Sequence, residues 1–101
     1  MIKHIVMWKL KEFVDNHSKA QNAKTMKQML EKLKDKIEEI KCMEIGIGAA
    51  RSASNYDIVL SSSFNDWRDL EAYLKHPEHS GVREFVIKVS LERAVVDYES
   101  D

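Results

Sequence analysis

The sequence predicts an α+β domain, an antiparallel sheet with helices packed on one face. Three observations carry that reading. Residues 2–10 alternate with the two-residue period of a strand, residues 18–40 carry an apolar stripe at helical spacing, and the pattern returns to strands, helices and a final strand thereafter. With 101 residues, 44% of them hydrophobic, the chain makes one domain over residues 1–101 with a core of modest size.

In Ile2–Leu10, His4, Val6, Trp8 and Leu10 share one face, while Lys3, Ile5, Met7 and Lys9 share the other. Ser18-Lys19-Ala20-Gln21 fits the capping box, in which serine and glutamine side chains satisfy free helix N–H groups. Ala23, Met26, Met29, Leu30, Leu33, Ile37 and Ile40 then recur every three or four residues, predicting a helix from Ser18 to Ile40, about 33 Å long. Met43, Ile45 and Ile47 alternate with Glu44, Gly46 and Gly48 as a second strand. Arg51–Asn55 is a small, polar hairpin connection, and Tyr56–Phe64 is the third strand. Asn65 or Asp66 caps a short helix bearing Trp67, Leu70, Tyr73 and Leu74, which Pro77 ends. Val82, Phe85, Val86 and Val89 show helical spacing again, and Leu91–Tyr98, with its Val95-Val96 pair, reads as the last strand. The order β-α-β-β-α-(α)-β, with right-handed crossovers, matches the ferredoxin-like split βαβ.

Composition excludes several function classes. Sixteen Lys and Arg against seventeen Asp and Glu leave a net charge of −1, which offers no basic excess for nucleic acid. No apolar run approaches the ~18 residues of a membrane span, and the opening strand lacks the pattern of a signal peptide. The single cysteine, Cys42, forms no internal disulfide; a buried, inert thiol and a cytoplasmic location are expected. Gly-rich phosphate loops, CxxC pairs and nucleophile elbows are absent from the sequence, and Arg51, Arg68, Arg83 and Arg93 are scattered along it. No cofactor is expected. Two imidazoles, His76 and His79, fall short of a zinc ligand set, so no metal is expected either.

The second face of the first strand is apolar where water would favour polar groups. Ile5 and Met7, joined by Val59 and by Met43 or Ile45, mark it as an interface, and two such sheets face to face would give a twofold homodimer.

Several segments then carry a family resemblance. Ile2-Lys3-His4-Ile5-Val6 opens the chain, Tyr56-Asp57-Ile58-Val59-Leu60 leads a strand ending at Phe64, and Asp69-Leu70 and Tyr73 precede His76-Pro77-Glu78-His79, an H-P-x-H signature. Val95-Val96-Asp97-Tyr98-Glu99 closes the last strand. Over essentially its whole length the chain resembles the stress-responsive dimeric α/β-barrel domain (Dabb) family. The resemblance implies a ferredoxin-like protomer and a homodimer whose sheets pair into a barrel. Most of that family has no established activity, and a plant subset cyclises polyketides by aldol condensation. The histidine on the first strand, the tyrosine and the second histidine of H-P-x-H that serve those cyclases match His4, Tyr73 and His79 here. Ile58 stands where they carry a further pocket histidine, and Met26, Lys27 and Leu30 stand where their first helix offers aromatics. The cyclase substrate is therefore not supported. The H-P-x-H and the C-terminal strand also point away from the related small monooxygenases.

Chemistry read from the residues agrees with a site at these positions. Imidazole abstracts protons near neutral pH, and a phenol donates a hydrogen bond to a developing oxyanion, which together suit enolisation next to a carbonyl. The expected catalytic set is His79, Tyr73 and His4. The lining is expected from Val6, Trp8, Met26, Leu30, Ile58 and Val82, with His76 one turn from Tyr73. Structural roles compete at each position. His4 can serve as a core histidine bonded to a backbone carbonyl or to Asp97, Tyr73 can be core with its hydroxyl at the rim, and a His76 cation can cap the helix end before Pro77. Three functions follow from this site: binding of a small apolar or carbonyl-containing molecule, a cofactor-independent cyclase, isomerase or lyase using His79 and Tyr73, or an interaction dimer with a filled pocket.

Overall fold

Burial alternates strictly along β1 (Ile2–Leu10), with Ile2, His4, Val6, Trp8 and Leu10 all under the helices. The computed structural model, which describes residues 1–101, places this strand inside a four-stranded antiparallel sheet. A two-residue ladder follows, β2 (Phe13–Val14) and β3 (His17–Ser18), then α1 (Lys19–Lys36), β4 (Cys42–Ile47), β5 (Ile58–Phe64), α2 (Trp67–Lys75), α3 (Pro77–Val89) and β6 (Ser90–Glu99). The sheet order is β4-β5-β1-β6, and the first and last strands of the chain are neighbours. That is the ferredoxin-like arrangement the element order predicts. No helix is long and apolar enough to cross a membrane.

The starts of α1 and α2 fall where the sequence places them, while α3 begins already at Pro77, ahead of the Val82–Val89 spacing that predicts it. The Gln21 backbone N–H donates to Ser18 Oγ at 3.2 Å and the Ser18 N–H donates to Gln21 Oε1 at 2.8 Å, which completes the capping box of α1. Asp66 Oδ1 accepts the Asp69 N–H at 2.9 Å and starts α2.

Four details differ from the sequence reading. First, α1 ends at Lys36 rather than Ile40. Ile37 takes an extended conformation (φ −123°), and the Ile40 N–H bonds Ile37 O at 3.3 Å. This turn keeps both isoleucines in the core while the Lys41 N–H reaches Ser63 O at 2.9 Å. A turn and a helix both bring residues three apart to one side, so apolar spacing alone does not distinguish them. Second, regular pairing in the third long strand begins at Ile58 rather than Tyr56. Third, residues 13–18 fold back as a tiny hairpin whose turn residues, Asp15 (φ 52°) and Asn16 (φ 65°), are left-handed. Asp and Asn tolerate that region best among residues with a side chain, so Asp15-Asn16 was a legible turn signal. Fourth, Cys42 is exposed on the edge strand β4 rather than buried, because the face it shares with Glu44 and Gly46 is turned away from the helices.

Register also corrects the composition of the open face. Met43 pairs with Ser62, Ile45 with Leu60 and Ile47 with Ile58, and these partners in turn oppose His4, Val6 and Trp8. Met43 and Ile45 therefore belong to the helix side. The open face carries Ile5, Met7 and Val59, joined by Val96 and Tyr98 of β6, which oppose Ile5 and Lys3.

The core between sheet and helices comprises eighteen buried apolar residues. At the β4 end, Gly48 admits close chain approach: a Cβ there would lie 2.3 Å from the Tyr56 carbonyl oxygen.

Candidate functional site

Tyr73 lies between two imidazoles. Its ring centroid is 6.0 Å from that of His4 and 4.7 Å from that of His79, with Phe64 at 5.2 Å on a further side. His4 rises from the central strand, Tyr73 comes from the last turn of α2, and His79 follows the Pro77 stop in the first turn of α3. Residues 69 and 75 positions apart thus meet at one place.

They border a cavity of about 310 Å³ between sheet and helices. Its floor is Val6 and Trp8 of β1 with Leu60 of β5, and Leu30 of α1 closes one side. The wall is one face of α3, where His79, Val82, Arg83, Val86 and Ile87 recur at three- and four-residue spacing. Leu74 and the start of β6, Ser90 to Arg93, complete the rim.

His4, Tyr73, His79, Val6, Trp8, Leu30 and Val82 therefore lie on the cavity, and three other expected members do not. Met26 is fully buried in the core, and Ile58 is packed there too. His76 serves the backbone: its Nδ1 accepts the Glu78 N–H at 3.1 Å and caps the start of α3 with Pro77 in the first turn. It is thus an acceptor at the beginning of the next helix, not a cation at the end of the previous one. Ser62, the serine of the 61–63 run on the helix side, donates to the His4 carbonyl at 3.1 Å and is likewise structural.

His4 Nδ1 meets Asp97 Oδ1, its cross-strand neighbour on β6, at 2.5 Å. A carboxylate can only accept, so Nδ1 carries the proton and Nε2 is the nitrogen that His4 has free. His79 is different. Its Nδ1 is buried and has no hydrogen-bond partner. Burial holds its pKa below the usual histidine value, and the nearby Arg83, His4 and Arg93 act in the same direction, opposed by the Leu74 backbone. The Trp8 indole Nε1 is also buried and unpartnered. Burial pushes the Tyr73 phenol far above its ordinary value, so it stays a neutral hydrogen-bond donor throughout the physiological range. The arrangement offers an unprotonated imidazole, a neutral phenol and a carboxylate-oriented imidazole around an apolar space. No three His, Cys, Asp or Glu side chains converge in a way that would hold a metal ion.

The depressed His79 pKa makes stability depend on pH with a definite sign. In the unfolded chain the ring titrates near 6.5, and in the folded chain it titrates lower. Between those values the unfolded state binds more protons, so His79 favours folding above pH 6.5 and that contribution is lost as pH falls through the folded value. Urea unfolding at about pH 7.5 and about pH 5.5 should show a smaller acid loss for His79→Gln than for the parent chain. An equal loss in both proteins would remove His79 from the account.

Arg83, Arg93, Leu74, Ile87, Leu91 and Glu92 line the cavity without having been expected there. Arg83 was legible, lying four residues after His79 on the same helix face. Arg93 was not, because its place at the cavity depends on its pairing with Trp8 across β6 and β1.

Fold and site together define a small ferredoxin-like α+β domain with a histidine–tyrosine cavity between its sheet and its helices. The chain belongs to the Stress responsive A/B Barrel Domain family, whose model matches residues 2–100. No curated protein matches it in sequence. Among solved structures it is similar to a dimeric protein of unknown function and ferredoxin-like fold from Bacteroides fragilis NCTC 9343, at 32% identity and TM-score 0.86 over 98% of this chain and 95% of that one. A dabb family protein from Mesorhizobium loti superposes with TM-score 0.70 at 20% identity, covering 98% and 95% of the two chains. A hydroxynitrile lyase from Passiflora edulis superposes with TM-score 0.79 at 16% identity, covering 96% and 90%, and at that identity the likeness is one of fold.

Proposed function

We propose that the domain acts as a homodimer and binds a small apolar or carbonyl-containing molecule in the cavity between sheet and helices. The observation that carries this reading is the 310 Å³ space itself, apolar inside and bordered by His4, Tyr73 and His79. Small-molecule sites have this character, mostly hydrophobic with a few convergent polar groups. A pocket filled by its own side chains, as an interaction domain would need, leaves no such space. The dimer rests on the open sheet face, where Met7, Val96 and Tyr98 are exposed, and on the similarity to a protein described as dimeric.

A second reading has its own support. The buried, unpartnered Nδ1 of His79 beside the Tyr73 phenol suits a cofactor-independent cyclase, isomerase or lyase working next to a carbonyl. His79 takes the proton from the α-carbon, and Tyr73, with its hydroxyl kept protonated, hydrogen-bonds the enolate oxygen.

A thermal-shift screen of small ketones, aldehydes and acids tests both readings. Hits are expected to raise the melting temperature of the parent chain but not of Val82→Trp, which fills the cavity. Hits indifferent to that substitution would place binding elsewhere. For each ketone hit, NMR in D2O follows exchange of its α-protons. Exchange that His79→Ala abolishes supports the enzyme; exchange at the buffer rate leaves the binding domain alone.

A further inference from the structure

We propose that the ligand carries a carboxylate on a small apolar body, with Arg83 and Arg93 holding the carboxylate at the rim. The inference rests on the cavity being a ligand site and names the chemistry that site selects.

Arg83 reaches the cavity from α3 and Arg93 from β6, so two guanidinium groups from separate elements face one opening. Neither makes an ion pair. By contrast Lys9, Lys19, Lys36, Lys75 and Lys88 all sit against carboxylates. Glu92 is the one acidic residue of the lining, and its carboxylate is 4.0 Å from Lys9. Asp97, behind the site, is bound to His4. The rim therefore has two cations that make no ion pair, against one carboxylate, Glu92, which lies beside Lys9. Both are near enough to His79 for their charge to disfavour its protonated form, so their field extends into the cavity.

Guanidinium forks match the planar carboxylate, often through paired hydrogen bonds. The ring of His79 adds no positive charge, and the lining contains no glycine that would bring backbone N–H groups to a phosphate, so a single negative charge is the better match. Behind the rim, Val6, Trp8, Leu30 and Leu60 are apolar and accept a ring or a short branched chain. About 310 Å³ is the lower end of small-molecule sites and suits a compact body. A carboxylate at the rim directs the rest of the acid inward, toward His79 and Tyr73.

Trp8 reports the test. In a Trp67→Phe background it is the single tryptophan, and it lines the cavity. Its fluorescence is titrated with phenylacetate against phenylacetamide, and with cyclohexanecarboxylate against its carboxamide. Each acid should bind about tenfold more tightly than its amide, and raising NaCl from about 0.02 M to about 0.5 M should shrink that preference. Arg83→Gln with Arg93→Gln should erase the preference and change amide affinity by less than about twofold. Both arginines are exposed and unpaired, so the fold is retained. Equal binding of acid and amide, or a preference that survives the double substitution, overturns the carboxylate and leaves the cavity as a neutral-ligand site. If no member of either pair binds, the ligand-site reading and this inference fall together.

Discussion

Tyr73→Ala is expected to remove about 3–5 kcal/mol of stability, whereas Tyr73→Phe should leave the fold almost untouched. Tyr73 is 1% exposed and packed against Phe64, His79 and His4, so truncation opens a large hole where four elements meet. Phenylalanine keeps that ring, and with it the packing against all three neighbours, in place. Chemical denaturation separates the two variants. A Tyr73→Phe cost near that of Ala would give the hydroxyl a structural role. If the site is catalytic, the same Phe variant should lower turnover more than it weakens binding, because the hydroxyl then acts mainly on the transition state.

The dimer gives the second large effect. Light scattering at micromolar concentration should report a mass twice the 11.7 kDa of one chain. Ile5→Lys with Met7→Lys should shift it to 11.7 kDa or leave an unstable chain. Both residues lie on the central strand, so the lysines would fall in the middle of the paired sheets, and a buried unpaired charge costs several kcal/mol. Val59, Val96 and Tyr98 flank them on the neighbouring strands and would lose their cover too. A parent chain of 11.7 kDa would overturn the dimer outright.

Much of this could be read from the chain because its signals are local. The alternation through His4, Val6 and Trp8 determines which face of β1 is buried, since successive side chains of a strand must oppose. Ser18 and Asp66 start their helices through hydrogen bonds that span three residues, and Pro77 ends α2 through sterics with its immediate neighbour. His4, Tyr73 and His79 were legible as candidates by their chemistry and by the resemblance. Tertiary structure decided what depends on register and on packing between distant segments. Met26 and Ile58 share the apolar character of Leu30 and Val6 yet lie in the solid core rather than on the cavity. No local signal separates them, because helix–sheet packing leaves its gap where side chains of several elements fail to meet. Pairing across β1, β5 and β4 turned Cys42 outward and Met43 and Ile45 inward, and pairing between β1 and β6 placed Arg93 beside Trp8. The unprotonated His79 is also a tertiary property. Its pKa is held down first by burial, then by Arg83 one turn along α3 and by groups of β1 and β6 that become neighbours only in the folded chain.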